Sequence, residues 1–104
     1  MIEIDLNTQH FFSDGLYAKQ MSLPTAHFAE SHIHKYSHLS ILAKGRVIVD
    51  ADGIETEYTA PACIDIKAGV KHKITAYEDV VWYCIHATNE TNLDAIDNVL
   101  IKEI

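Results

Sequence analysis

The runs His38-Leu39-Ser40-Ile41-Leu42-Ala43, Arg46-Val47-Ile48-Val49-Asp50 and Ile54-Glu55-Thr56-Glu57-Tyr58-Thr59 decide the fold class. Polar and apolar residues alternate through them, the period of a strand with one covered face. Between the second and third runs, Ala51-Asp52-Gly53 supplies a pair that tolerates positive φ, which makes a hairpin of its flanks. Glu55 and Glu57 then fall on the solvent face. Ala60-Pro61-Ala62 turns the chain, because proline fixes φ and donates no ladder hydrogen bond. Cys63-Ile64-Asp65-Ile66 is a further short strand, ended by Lys67-Ala68-Gly69.

The same signal continues outward. Residues 71–77 and 80–87 read as longer strands around Glu78-Asp79, and residues 16–23 and 26–34 fit the pattern upstream, divided by Pro24. Strand–turn units recurring about every 8–12 residues, with no helix between them, indicate an all-β sandwich or barrel. The tail departs from this: Leu93, Ile96, Val99 and Leu100 recur at helical spacing after Thr91 and Asn92, predicting one short C-terminal helix packed on the barrel. Residues 8–14 have room for a helical turn. No repeat, low-complexity tract or Gly/Ser linker interrupts the chain, so residues 1–104 form a single domain.

Composition narrows the function. The 104 residues carry 15 acidic and 8 basic side chains, a formal net charge of -7, which opposes binding to phosphate backbones. No apolar run is long enough to cross a membrane as a helix, and Met1-Ile2-Glu3-Ile4-Asp5-Leu6 is unlike a secretory leader. The two cysteines, Cys63 and Cys84, are too few for a disulfide scaffold, so reduced thiols in a cytoplasmic protein are expected. A core this small, with strand edges to cover, leads us to expect a homodimer. The unusual count is histidine, with seven.

Side chains of equal parity share one face of a strand. His32, His34 and His38 share parity, and they point inward if Ile33 and Leu39 contact another layer. His72 opens a later strand after Gly69-Val70-Lys71. Histidines at i and i+2 stand roughly 7 Å apart at Cα on one face, a separation that lets two imidazoles bite one ion. Such nitrogen sites suit borderline transition metals.

His32-Ile33-His34, His38 and Gly45 resemble the first cupin motif, in which two histidines, a glutamate and a glycine stand at these spacings. Lys67 through His72 resembles the second motif, with its proline, glycine and third histidine. The motif regions, 32–45 and 67–72, lie within a stretch from 26 to 87 that the resemblance covers. It implies a cupin-type jelly-roll barrel (double-stranded β-helix) with a metal inside, held by His32, His34, His38 and His72. His38 stands where these proteins have glutamate, and Lys67 where they have proline. A four-histidine set offsets less of the ion's charge, which favours anionic ligands, and all-nitrogen ligation suits Fe, Ni, Zn, Cu or Mn over Mg or Ca.

Outside that set, His86 is in phase with Trp82 and Cys84 and either faces the cavity as an acid/base group or sits at the rim. Tyr36 lies in the loop between His34 and His38, as a proton donor or an exposed aromatic. Glu30 shares parity with His32 and is either a carboxylate one rung from the ion or a solvated strand end. His10 and His27 read as structural. Phe28, Leu42, Ile48, Tyr58, Ile66, Trp82 and Tyr83 line the cavity or fill the core, and Cys84 is a buried small hydrophobe. The leading expectation is a metal-dependent enzyme of dioxygenase, lyase or isomerase type acting on a small anionic or oxygen-rich molecule. Its rivals are a non-catalytic cupin that binds a sugar or acid, and a purely structural subunit.

Overall fold

Alternating strands stay buried on one side only where a second layer meets them, and two antiparallel sheets do that here. The computed structural model describes residues 7–30, 33 and 35–89. The strands are β1 (Gln9–Ser13), β2 (Leu16–Leu23), β3 (Phe28–Glu30), β4 (His38–Lys44), β5 (Arg46–Ala51), β6 (Ile54–Thr59), β7 (Ala62–Ile66), β8 (His72–Ala76) and β9 (Val80–Ala87). One sheet has the order β1-β2-β9-β4-β7 and the other β3-β8-β5-β6. The fold is therefore all-β, as the alternation requires.

Turn chemistry follows the sequence. Asp52 and Gly53 both take positive φ, 56° and 85°, and Gly53 N donates to Asp50 Oδ1 at 2.9 Å, closing the β5–β6 hairpin. Gly45 carries φ +93°, and a Cβ there would sit 2.5 Å from the carbonyl oxygen of Asp79. Only glycine allows β4 to pass into β5 that close to the start of β9.

Two expectations need correction. Residues 8–14 hold no helical turn; β1 pairs with β2 from Gln9↔Gln20 to Ser13↔Leu16 across a turn at Gly15. His10 and Phe12 alternate with exposed Phe11, so the period there is two. The second concerns strand phase. In β5 the buried residues are Val47 and Val49, which leaves Ile48 on the outer face, and Phe28 is exposed. Tyr83 also faces out, its hydroxyl donating to Gln20 Oε1 at 2.7 Å. Leu42, Ile66 and Trp82 join the core with Leu23, Val47, Val49, Ile64, Ile74, Ala76 and Val80, and Tyr58 packs against it. The helix expected over residues 93–100 lies outside the described residues.

A row of apolar residues crosses the outer face of the five-stranded sheet. The registers Leu39↔Ile85, Ala18↔Ile85 and Phe11↔Ala18 set these four residues in one row across β4, β9, β2 and β1. Leu39 is 52% and Phe11 50% exposed, and Ile41 and Leu16 are exposed on the same face. Leu39 thus has no layer over it among the described residues.

Candidate functional site

The inner face of the five-stranded sheet is graded along the strands. At one level Leu42, Trp82 and Met21 are register neighbours, an apolar floor. The next level holds Ser40, Cys84, Lys19 and His10, matched by Ser40↔Cys84, Lys19↔Cys84 and His10↔Lys19. Beyond it come His86, Tyr17 and Phe12, matched by Tyr17↔His86 and Phe12↔Tyr17. His38 opens β4 one step past Leu39↔Ile85, which sets it beside His86. Polarity therefore rises toward one end of the barrel, because alternation brings these residues to one face and the strands carry their polar ones toward that end.

The last level is a run of rings. His38 and His86 have centroids 4.1 Å apart, Tyr17 stacks 5.9 Å from His86, and Phe12 stacks 5.0 Å from Tyr17. Tyr17 OH and His10 Nδ1 are hydrogen-bonded at 2.7 Å. His38, His86 and Tyr17 are all buried. His38 Nε2 lies 3.4 Å from Ser40 Oγ, whose hydroxyl donates to Cys84 Sγ at 3.8 Å. Burial pushes the Cys84 thiol up from its ordinary pKa, opposed by the Ser40 and Trp82 side chains and by the charge of Lys19.

His72 reaches the same end from the other sheet. Ile66, the last residue of β7, pairs with His38, and the chain turns through residues 67–71 into β8. Ala68 N donates to Ser37 Oγ at 2.9 Å, tying that turn to the residue before His38. His72 is buried, and its Nδ1 donates to the Val70 carbonyl at 3.1 Å. A carbonyl only accepts, so this bond fixes the proton on Nδ1 and the ring lone pair on Nε2. Burial also holds the His72 pKa below its ordinary value, which keeps the ring neutral as a metal ligand must be.

The remaining candidates are distributed as follows. His32 and His34 lie outside the described residues. Among the described residues no group of three His, Cys, Asp or Glu is placed to hold a metal; of the four expected ligands, His38 and His72 are the two described. The donors themselves fit a transition metal: both are buried imidazoles, and His72 has the ligating tautomer. His86 is buried on the inner face, one residue before the end of β9. Tyr36 is 63% exposed in the loop before β4. Glu30, exposed at the end of β3, pairs with Lys71 at 3.1 Å. His27 donates from Nδ1 to Thr25 O at 2.9 Å, a local turn contact.

Tyr17, Lys19 and Ser40 were not legible as site residues. Their signal was phase: residues 17, 19, 21 and 23 share the parity of the core leucine, Leu23, and residues 38, 40 and 42 that of Leu42. By the same parity no Asp or Glu of the described strands falls on the inner face. Asp50, Glu55, Glu57 and Asp65 all alternate with inward residues, and Glu30 flanks inward Ala29.

Comparison with solved structures bears on the architecture. A Photorhabdus luminescens protein superposes with a TM-score of 0.73 at 18% identity, covering 93% of this chain and 87% of that one. A cupin-2 domain protein of Shewanella frigidimarina gives 0.67 at 13%, covering 84% and 85%. An RmlC-like cupin of the same organism gives 0.67 at 17%, covering 82% and 77%. The fold is that of a small cupin. No family profile and no curated protein matches the sequence. At these identities the likeness establishes the jelly roll and leaves the chemistry to the residues themselves.

Proposed function

We propose that this cupin holds one divalent transition metal (Fe, Ni, Zn, Cu or Mn) through His32, His34, His38 and His72 and acts on a small organic acid. The observation that carries the reading is the convergence of His38 and His72 at one end of the barrel, His72 with its lone pair on Nε2. When bound, the metal supplies a Lewis acid that polarises substrate oxygens, as dioxygenase, lyase and isomerase reactions require. The chain's own groups do the rest. His86, against His38 and Tyr17, is the proton-transfer candidate on the inner face, and Tyr36 stands in the loop before β4 as a second. The apolar floor of Leu42, Trp82 and Met21 keeps water from beneath the polar level.

The outer row of Leu39, Ile85, Ala18 and Phe11 supports a homodimer in which a second copy supplies the layer that Leu39 lacks. The five strands of the sheet that carries this row have 5, 8, 8, 7 and 5 residues, and at about 4.8 Å spacing and about 3.3 Å rise they present on the order of 500 Å². That is more than half of the roughly 800 Å² per partner of a stable interface. Two free thiols accord with a reducing, cytoplasmic setting.

The test is elemental analysis of untagged protein purified without added metal, beside thermal melts over a metal panel. About one transition metal per chain is expected. A metal at about 100 times its Kd should stabilise by about 2.7 kcal/mol, reversed by chelation and absent in His34→Ala and His72→Ala. Trace metal with no chelator-reversible shift would refute the reading. Metal binding without turnover on small acids would leave a binding protein.

A further inference from the structure

We infer that Lys19 is the residue with which the barrel interior reads its ligand: it binds a carboxylate group of a small organic acid at the level beneath the ring run. This rests on the interior being the functional site, as proposed above, and adds the group that selects the ligand's charge.

Four observations converge on it. Lys19 shares the inward phase of buried Tyr17 and Leu23 and of core-packed Met21, and is itself half-buried. The other cations of the described strands are elsewhere: Arg46 and Lys73 alternate with inward residues, and Lys44, the last residue of β4, is exposed after the register shift that follows Leu42. Those cations also have company. Arg46 pairs with Glu57 and Glu78, Lys73 lies 4.4 Å over the Phe28 ring, and Lys44 acts on Asp79. Among the described residues no carboxylate forms an ion pair with Lys19; its field falls on the buried Cys84 thiol.

The charge argument follows. A chain with net charge -7 sets the carboxylates of its described strands on the outer faces, and of the cations on those strands it sets Lys19 alone in the inward phase. A carboxylate arriving beside that ammonium forms the charge-assisted hydrogen bond that no described carboxylate supplies. A neutral ligand of the same shape gains only the weaker neutral hydrogen bond, so the lysine discriminates between them.

The experiment measures binding of malonate and of its neutral analogue malonamide by calorimetry, on Zn(II)-loaded protein and on protein treated with EDTA. Wild type is expected to prefer malonate in both forms. Lys19→Met keeps the stem and removes the charge, and should lose about tenfold or more in malonate affinity with no change in Zn(II) affinity or melting temperature. Lys19→Arg should remain within about threefold of wild type, since it restores the charge. Lys19→Gln repeats the comparison should the Met variant fold poorly. Wild type showing no preference for malonate, or both neutral variants binding it as wild type does, would overturn the assignment. The two readings separate cleanly. Lysine-dependent malonate binding in a protein that takes up no Zn(II) sinks the metal site alone, whereas Zn(II) binding with lysine-independent malonate affinity sinks the lysine alone.

Discussion

Replacing Gly45 with alanine tests the geometry that brings β4, β5 and the start of β9 together. The backbone there has φ +93°, and the added Cβ would meet Asp79 O at 2.5 Å and Val80 Cγ2 at 2.8 Å. The left-handed conformation costs an L-residue about 1–2 kcal/mol. Relieving the overlap costs about 1–3 kcal/mol more, because the nearest atom is a backbone carbonyl that cannot swing aside. Against the 5–15 kcal/mol stability of an ordinary domain, a total of about 2–5 kcal/mol is large. It should lower the melting temperature by about 10–20 °C. Gly53→Ala is the matched control: φ is +85°, but nothing lies within 4 Å of the added Cβ, so only the conformational part applies. Urea unfolding of both variants, with unchanged m, reads the difference. Equal midpoints would show that the β4–β5 passage does not run against Asp79 and would refute the steric reasoning.

Other outcomes follow from the site and surface. In metal-free protein the His72 ring should titrate below its ordinary 6.5 by NMR, since burial opposes its protonation. The unfolded chain then binds this proton first, so the stability it contributes is present above pH 6.5 and falls as pH drops below that value; titration at or above 6.5 would contradict the burial. A thiol reagent should modify exposed Cys63 quickly and Cys84 about tenfold or more slowly until the chain is unfolded. Two equally fast thiols would place Cys84 on the wrong face. Leu39→Arg should convert a dimer to monomer by light scattering at micromolar concentration, with little change in the melting temperature extrapolated to the monomer. A variant that stays dimeric would move the interface elsewhere.

The sequence carried the architecture because strand period and turn chemistry are local. Asp52-Gly53, Gly45 and the alternation of β4 and β5 each needed only neighbouring residues to be read. Which face of a strand points inward is not local. Val47 and Ile48 are equally apolar, and Val47 is the core residue because its face packs with Leu42, Ile64 and Trp82 of the other sheet. The same ambiguity hid Tyr17 and Lys19. A Tyr-x-Lys-x-Met-x-Leu phase is visible at residues 17–23, yet without its partners β1 and β9 nothing marks that side as the interior. Residues 8–14 misled for a related reason: a five-residue edge strand offers too few alternations to outweigh a turn signal. His38 and His72 were legible because their spacing from Gly45 and Gly69 survives any choice of phase.

Tyr17 belongs to two structures at once. Its ring supports Phe12 and His10 of the border strand on one flank and His86 on the other. Among the described strands β1 pairs with β2 alone, and the phenol that packs against β1 also packs against the His86 imidazole. Trimming the chain past Ser13, or fusing a bulky tag there, would loosen His86 and its neighbour His38 from a distance, without altering either of them.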